Sequence, residues 1–318
     1  MKINTSNLDS NLQWSVAICL ILVTCIFIFP PEYLLAKQFS KYAVHWMFLC
    51  LIIGIACMFL NLENLLFTSF GCSGILATLL LYSYNSSINL ADEKIKESIS
   101  IEFINPTIST DDFDKTFSLL LRQDPDVLVL EEVTPEWRWI TEELSEKYKF
   151  SVVLSRVDPF GKAIFSKFKF EQIDTLEYKN NPIIIANARV NDNKIIQISA
   201  ANALPSITMT DFNKLNLYLE KLSKVILSNK LPLILSANFN LVPWSKELRD
   251  FKLQTDLNSS RRDNNDGSAL KTIWSFFNIP KNEIFYSKEL ECSEFKEIYD
   301  SNLNTIGLFG RYQFKRVN

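Results

Sequence analysis

Polar side chains follow several apolar runs of this chain, at positions where buried strands would end. In the stretch Leu233–Ser245, LILSANFNLVPWS, an apolar run leads into Asn238 and Asn240. An amide can hold a water molecule, but it cannot take a proton from it and brings no negative charge to a metal. Loops also begin at strand ends, so spacing alone leaves a site and an ordinary loop both open. Two further residues in such positions are Asn105 and Glu132.

Groups that could transfer protons or hold zinc are scarce. The only histidine is His45, which lies one helical turn from Lys41 in an apolar region, so an interfacial position is the simpler interpretation than an intramembrane functional group. Five of the six cysteines lie in the same region, which leaves Cys292 alone in the rest of the chain. The C-terminal region therefore cannot form an internal disulfide or a zinc cluster of cysteines.

The balance of charge argues against one class of partner. The chain has 33 Lys+Arg and 36 Asp+Glu, a net charge of -3. Nucleic acid is bound largely by Lys and Arg that neutralise phosphates, and no basic excess is present here. We therefore do not expect nucleic acid as a partner. Between Asn11 and Leu90 the charged residues are only Glu32, Lys37, Lys41 and Glu63.

The poorly charged region contains three apolar runs, and a membrane-spanning helix needs about 20 mostly apolar residues. We predict transmembrane helices at about 13–30, 43–60 and 65–84. Residues 1–90 are thus predicted to be a membrane region with the lipid bilayer as its partner, and residues 91–318 a separate domain. Lysines flanking the membrane on the side of this domain favour a cytoplasmic position, by a margin too small to fix the side.

The domain combines strands with amphipathic helices, an α+β pattern. Helices are predicted to begin at the capping residues Thr110, Thr134 and Thr210, the last one running to about Asn229. The polar run Asn258–Gly267 is predicted to be a surface loop. Strands are predicted at Ser98–Ile104, Val127–Leu130, Phe150–Arg156, Lys162–Ser166, Ile183–Val190, Lys194–Ala200 and Leu231–Ser236, with several short ones after Trp274.

The order and wording of these segments resemble a known family. Asp124–Trp137, DPDVLVLEEVTPEW, is similar to a family strand that ends in a metal-binding glutamate, and Glu132 takes that place. Gly161–Lys167 looks like a "G-x-A-x-x-S-R/K" segment, and Ala237–Asn240 looks like Gly-Asp-Phe-Asn. Together they resemble the endonuclease/exonuclease/phosphatase family, the DNase-like fold, and in particular its bacterial members with short N-terminal membrane helices. The resemblance extends from Ile99 to about Phe314.

The resemblance implies a fold and a chemistry. It implies three N-terminal transmembrane helices followed by a four-layer α/β sandwich, in which two packed sheets are flanked by helices, in a bacterial inner (cell) membrane. In such a phosphoesterase the glutamate and its partners hold Mg²⁺ against a phosphate oxygen, an aspartate activates water, histidines donate protons, and asparagines bind the phosphate.

This chain departs from that pattern at the acid–base positions. Asn105, Glu132 and Asn240 match the expected residues. The expected histidine falls on Asn202, the aspartate of Gly-Asp-Phe-Asn on Asn238, one Asp-His pair on Asn282 and Glu283, and the final Asp-His pair on Phe309 and Gly310.

Two interpretations of the domain follow. The first is a catalytically inactive homologue that serves as a binding or scaffold module or persists as a remnant, with no cofactor and with Glu132 at most a weak metal ligand. The alternative is an active Mg²⁺-dependent phosphodiesterase, nuclease or phosphatase with a site rebuilt around Glu132, helped by Glu131, Asp158 or Glu283. A third hypothesis, that the membrane helices carry the function, lacks an intramembrane charge to support it.

Overall fold

The computed structural model describes residues 10–85, 90–92, 98–109, 115, 116, 118, 123–261, 280–302 and 304–315. The chain forms two compact units. The membrane unit contains the described residues up to Tyr84 together with Leu241–Asp250, and the sandwich unit contains nearly all the others. The chain first passes from one unit to the other between Tyr84 and Asn85. The segment Leu241–Asp250 of the membrane unit comes from the middle of the domain that was predicted at residues 91–318.

The membrane unit is built on apolar helices. Three helical stretches, Ser10–Ile28, Leu34–Leu60 and Glu63–Ser83, are long and apolar enough to cross a membrane, as the sequence predicts. Most of their large apolar side chains are exposed, which suits a lipid environment better than water. The helices are α1 (Ser10–Ile28), α2 (Leu34–Phe39), α3 (Ala43–Leu60) and α4 (Glu63–Ser83).

The segment Leu241–Asp250 packs on these helices within the membrane unit. The Trp244 side chain lies in an apolar cluster with Phe27 and Leu80, and its indole N–H donates to the Ser40 carbonyl at 2.7 Å. The buried tryptophan thus satisfies its one donor while it contributes apolar area.

A charged contact accompanies this packing. The Lys37 ammonium, which is buried, lies 2.7 Å from a carboxylate oxygen of Glu247 and 2.8 Å from one of Glu32. A buried ammonium is costly unless it is paired, and here two carboxylates compensate it.

The sandwich unit consists of two six-stranded sheets. The strands are β1 (Ser98–Ile104), β2 (Val127–Glu131), β3 (Phe150–Leu154), β4 (Lys162–Ser166), β5 (Lys169–Tyr178), β6 (Asn181–Asn191), β7 (Lys194–Asn202), β8 (Leu233–Asn238), β9 (Asn258–Ser259), β10 (Asn282–Tyr286), β11 (Leu290–Tyr299) and β12 (Thr305–Phe314). Sheet I has the order β11-β12-β1-β2-β4-β3, and sheet II has the order β5-β6-β7-β8-β10-β9. Both are mixed, because β1–β2 and β7–β8 are parallel pairs and the others are antiparallel.

The main core lies between the two sheets. Alternate residues of each strand point into it, for example Ile101 and Phe103 from sheet I and Ile198 and Ile234 from sheet II. These side chains are fully buried, and apolar area removed from water at about 25 cal/mol per Å² is the main stabilising contribution. The α+β architecture of apolar helices followed by two packed sheets flanked by helices is confirmed.

Helices cover the outer faces of the sandwich. Ile140 and Leu144 of one helix pack with Leu128 and Phe165 on the outer face of sheet I. Among the described residues, the other α-helices are α5 (Arg138–Lys147), α6 (Met209–Ser228) and α7 (Lys246–Thr255).

Two predicted helix caps are wrong in detail. Helix α6 is capped by Thr208 and not by Thr210, because Thr208 and Asp211 exchange hydrogen bonds in a capping box. Thr134 stands at its predicted helix start, but its side chain makes no capping hydrogen bond. The helix predicted to begin at Thr110 lies almost wholly outside the described residues.

Three other elements differ from the prediction. Strand β5 was not predicted, because it is an edge strand exposed on both faces and so lacks an apolar alternation. Helix α7 was also not predicted. Asn258 and Ser259 were predicted to lie in a loop, but they pair with β10. Residues 262–267 of that predicted loop lie outside the described residues.

Glu102 on β1 generates a prediction about pH. Its side chain is fully buried, and neither carboxylate oxygen has a hydrogen-bond partner among the described residues. Burial raises the pKa of Glu102 to about 8, against the opposing attraction of Lys147. Because the folded pKa lies above the unfolded one, this residue lowers stability progressively as pH rises from about 4.5 to about 8.

We therefore expect Glu102→Gln to remove part of this pH dependence. The gain over the wild type should be near zero at about pH 4 and grow by about 1 kcal/mol per pH unit towards pH 8. Thermal unfolding of the full chain in detergent, followed by tryptophan fluorescence, measures it. The control is Asp192→Asn, a change of the same kind in an exposed turn. If the stability that Glu102→Gln gains over the wild type does not grow with pH, the prediction is wrong.

Candidate functional site: a row of amides at one end of the sandwich

Three asparagines form a row across sheet II. Asn202 on β7 is the register partner of Asn238 on β8, and Asn238 is the register partner of Asn282 on β10. Each is separated by an even number of residues from core residues of its own strand, such as Ile198 and Ile234, so all three point between the sheets. The structure therefore brings three of the sequence-predicted positions together, and all three are nearly completely buried.

Sheet I supplies the facing residues. Asn105 continues the inward alternation of Phe103, and Glu131 continues that of Val129. Glu131 Oε2 accepts a hydrogen bond of 3.2 Å from Asn238 Nδ2 on the opposite sheet. A carboxylate of sheet I and an amide of sheet II thus close the end of the sandwich core.

Glu132, the predicted metal ligand, is held by neighbours on its own side of the site. Its Oε1 accepts a hydrogen bond of 3.0 Å from Asn105 Nδ2, and its Oε2 accepts one from the Thr107 hydroxyl. Asn105 is oriented in turn, because its Oδ1 accepts the Thr107 backbone N–H at 3.1 Å. Glu132 has a φ of 53°, a left-handed conformation that costs a non-glycine residue of this size about 1 kcal/mol or more. This turn takes Glu132 out of the strand alternation and towards Asn105.

Asn240 fixes Asn238 and does not point to a free space. Its backbone N–H donates to Asn238 Oδ1 at 3.0 Å, and its Nδ2 donates to the Ala203 carbonyl at 2.8 Å. Asn240 is also left-handed, with a φ of 53°, a conformation that asparagine tolerates better than most residues. Both ends of the Asn238 amide are therefore engaged, one by Asn240 and the other by Glu131.

A lysine contributes a cationic side chain to this cluster. Lys162 on β4 is fully buried, and its ammonium donates to the Phe160 carbonyl at 3.1 Å and to Asn181 Oδ1 at 3.3 Å. Asn181 Nδ2 donates to the Asn202 carbonyl at 2.6 Å. The Asn202 amide donates to the Pro159 carbonyl at 2.9 Å, so the row of amides is joined to the loop that precedes β4.

Burial shifts the pKa of both buried charges. It raises the pKa of Glu131, and the hydrogen bond from Asn238 and the charge of Lys162 oppose this shift. It lowers the pKa of Lys162, and the charge of Glu131 opposes that shift. Desolvation penalises each charged form, and each of the two opposite charges favours the charged form of the other.

The other carboxylates proposed to rebuild a site are engaged elsewhere. Asp158 forms a bidentate pair with Arg156, with contacts of 2.8 and 2.7 Å. Glu283 accepts hydrogen bonds from Ser259 at 2.7 Å and from Arg261 at 3.3 Å. Since Glu283 follows Asn282 on β10, its side chain points to the opposite face of sheet II.

Phe309 and Gly310 do not lie with the other predicted positions. In the register of β12 and β1, Phe309 is opposite Glu102 and Gly310 is opposite Ile101. The part of this chain segment that reaches Asn105 is the beginning of β12, where the Ile306 carbonyl accepts the Asn105 N–H at 2.9 Å. Strand β12 begins at Thr305, so Phe309 and Gly310 lie within the sheet.

Sequence reasoning missed Lys162, Thr107 and Asn181. A signal existed for Lys162, because a lysine opens a buried strand, KAIFS, whose other residues are all buried. No local signal distinguishes Thr107 or Asn181 from other loop residues.

The residues present do not fit a Mg²⁺ site. Among the described residues, no three His, Cys, Asp or Glu side chains come together as they would around a metal ion. Both oxygens of Glu132 already accept hydrogen bonds, and Glu131 is buried against Asn238. Mg²⁺ requires near-octahedral oxygen ligands, usually including one or two carboxylates that can reach it.

Comparison with known proteins agrees with the fold. The family model described as "Endonuclease/Exonuclease/phosphatase family" matches residues 108–286. No curated protein sequence matches the chain. Among solved structures, the human Nocturnin catalytic domain with bound sulfate matches with a TM-score of 0.53 and 18% identity, over 71% of this chain and 97% of that one.

Two other structures resemble it to a similar degree. ANGEL2, a 2',3'-cyclic phosphatase in complex with adenosine-2',3'-vanadate, matches with a TM-score of 0.53 and 13% identity, over 73% of this chain and 100% of that one. TDP2 of D. rerio, complexed with a single-strand DNA product, matches with a TM-score of 0.53 and 14% identity, over 68% and 99%. These identities support a shared fold. Since the family model covers more than half of the sequence and the sandwich has the matching architecture, the chain belongs to the endonuclease/exonuclease/phosphatase family.

Proposed function

We propose that this chain is a membrane-anchored, catalytically inactive member of the family, acting as a binding or scaffold module or persisting as a remnant. The observation that carries the proposal is the row Asn202, Asn238 and Asn282, three amides in register at the end of the sandwich. An amide neither accepts nor releases a proton near neutral pH. Positioned acid–base groups contribute about 10²–10⁴-fold each to a reaction rate, so a site that lacks them loses most of its power.

The electrostatics of the site support the same proposal. Glu132, which matches the family's metal ligand, is held by hydrogen bonds from Asn105 and Thr107 on its own side of the site. The alternative, an active Mg²⁺-dependent phosphodiesterase, nuclease or phosphatase rebuilt around Glu132, requires a second available carboxylate. Asp158 and Glu283, the two candidates outside the row, are paired with arginines.

The membrane helices give the proposal a location. We propose that the three apolar helices hold the domain at a lipid bilayer, the inner (cell) membrane of a bacterium, and that nucleic acid is not its partner. The support is the length and hydropathy of the helices and the net charge of -3. The three structural neighbours described above carry sulfate, a nucleoside vanadate or DNA, so a phosphate-bearing ligand is the first class to test in a binding assay.

The first prediction of this proposal concerns turnover. The full chain, purified in detergent and assayed with Mg²⁺ or Mn²⁺ on phosphodiester, phosphomonoester and nucleic-acid substrates, should show no turnover above that of its Glu132→Ala variant. Turnover from a contaminating enzyme would appear equally in the wild type and in the variant, so the comparison controls for it. Turnover by the wild type that disappears in Glu132→Ala would contradict the proposal and favour the rebuilt site.

A second prediction concerns Asn238→Asp. This change replaces the amide that donates to Glu131 by an acceptor of the same shape, so two buried carboxyl groups would meet at about 3 Å. We expect a loss of about 2–4 kcal/mol in the free energy of unfolding. The thermal unfolding midpoint of the full chain in detergent measures it.

The matched control is Asn193→Asp in the exposed turn between β6 and β7. An exposed change of this kind should alter stability by less than about 0.5 kcal/mol. If Asn238→Asp were as stable as Asn193→Asp, Asn238 could not be the partner of a buried Glu131.

A further inference from the structure

The polar end of the sandwich contains a pair of opposite charges that the proposed function does not use. Glu131 on β2 and Lys162 on β4 are direct partners in the antiparallel register. They continue the alternation of Val129 and Ile164, which face the core, so both side chains point between the sheets. Side chains of directly opposite residues in such a pair have Cβ atoms about 5 Å apart.

The direct hydrogen-bond partners of the two charges are neutral. Lys162 Nζ donates to the Phe160 carbonyl and the Asn181 amide oxygen, and Glu131 Oε2 accepts from Asn238. Among the described residues, Glu131 Oε1 has no hydrogen-bond partner, and Lys162 is a cation whose charge favours the ionised carboxylate. Their electrostatic interaction is favourable, and a dry interior screens it little.

The buried ammonium of Lys162 disfavours the binding of another cation at this end of the sandwich. A divalent cation placed against Glu131 and Glu132 would bring two further positive charges close to a fully buried ammonium. Like charges in a low-dielectric interior repel strongly. The amides of Asn202 and Asn238 contribute no negative charge that could offset the repulsion.

We propose that Lys162 is the resident counter-ion of this end of the sandwich: it supplies, from the chain itself, the positive charge that a bound metal supplies in a metal-dependent phosphoesterase. The strand ends that carry Glu131 and Asn238 are therefore held together without a divalent cation. This inference deepens the proposed function and rests on it, because a site that needed Mg²⁺ for turnover would need its carboxylates free of Lys162.

The test is the thermal unfolding midpoint of the full chain in detergent, measured with EDTA, with Mg²⁺ and with Mn²⁺. The wild-type midpoint should be the same in all three. Lys162→Met keeps most of the apolar stem but leaves Glu131 buried without its counter-ion, so its midpoint in EDTA should fall by on the order of 10 °C. The double variant Lys162→Met/Glu131→Gln, which removes both charges, should recover most of that loss.

Lys167→Met is the matched control. Lys167 follows β4 directly and pairs at 3.1 Å with the exposed Asp124, so its loss should move the midpoint by no more than about 2 °C. A double variant no more stable than Lys162→Met would overturn the inference, since Lys162 would then act through packing alone. If Lys162→Met cannot be purified, a folded double variant supports the inference and an unfolded one overturns it.

The outcomes separate this inference from the proposed function. A wild-type midpoint that rises and saturates with Mg²⁺ or Mn²⁺ would overturn the role of Lys162. Turnover by the same wild-type sample, measured alongside, would overturn the proposed inactivity. The first result concerns the charge balance of the site, and the second concerns its chemistry.

Discussion

The hydrogen bond between Asn238 on sheet II and Glu131 on sheet I is the interaction on which the site end of the sandwich depends. A carboxyl group buried between two sheets is costly unless something compensates it. Asn238 supplies one hydrogen bond, Lys162 supplies an opposite charge, and Asn240 holds Asn238 in place. A buried polar network of this kind stabilises only when most of its members are satisfied, which ties the two sheets to one relative register.

The same network explains how the family fold can form although the residues at the acid–base positions differ from the family pattern. Strands β7 and β8 end, and β10 begins, at one level of sheet II, and all three point polar side chains between the sheets there. Amides fill those positions with groups that form strong hydrogen bonds and carry no charge. The geometry of a strand-end site and its capacity to move protons are thus separate properties, because the first depends on register and the second on residue type.

Much of the fold could be predicted because it follows from local patterns. The apolar helices are long, and strands such as Lys162–Ser166 are short apolar runs bounded by turns, so the sequence predicts both. Strand β5 is not, because an exposed edge strand needs no apolar residues and is held by its hydrogen bonds to β6.

The site could be predicted in part, for a different reason. Asn202 and Asn238 follow apolar runs and Asn282 begins β10, and the register of these strands brings together three positions that the family resemblance had assigned to one site. Phe309 and Gly310 were assigned by the likeness of Gly307–Arg311 to the last segment of the family pattern, but in the structure they lie inside β12, which begins at Thr305. Glu131 and Lys162 become neighbours only when β2 pairs with β4. These segments are about 30 residues apart along the chain, so no local sequence pattern predicts the contact.

The central proposal is that this member of the family has, in place of a metal-dependent site, one that is held together by hydrogen bonds and by the chain's own charges. Its most direct test is a calorimetric titration of the full chain in detergent with Mn²⁺, compared with the Glu132→Gln variant. The account predicts that neither protein gives saturable heat of binding. Saturable binding by the wild type that is lost in Glu132→Gln would contradict it.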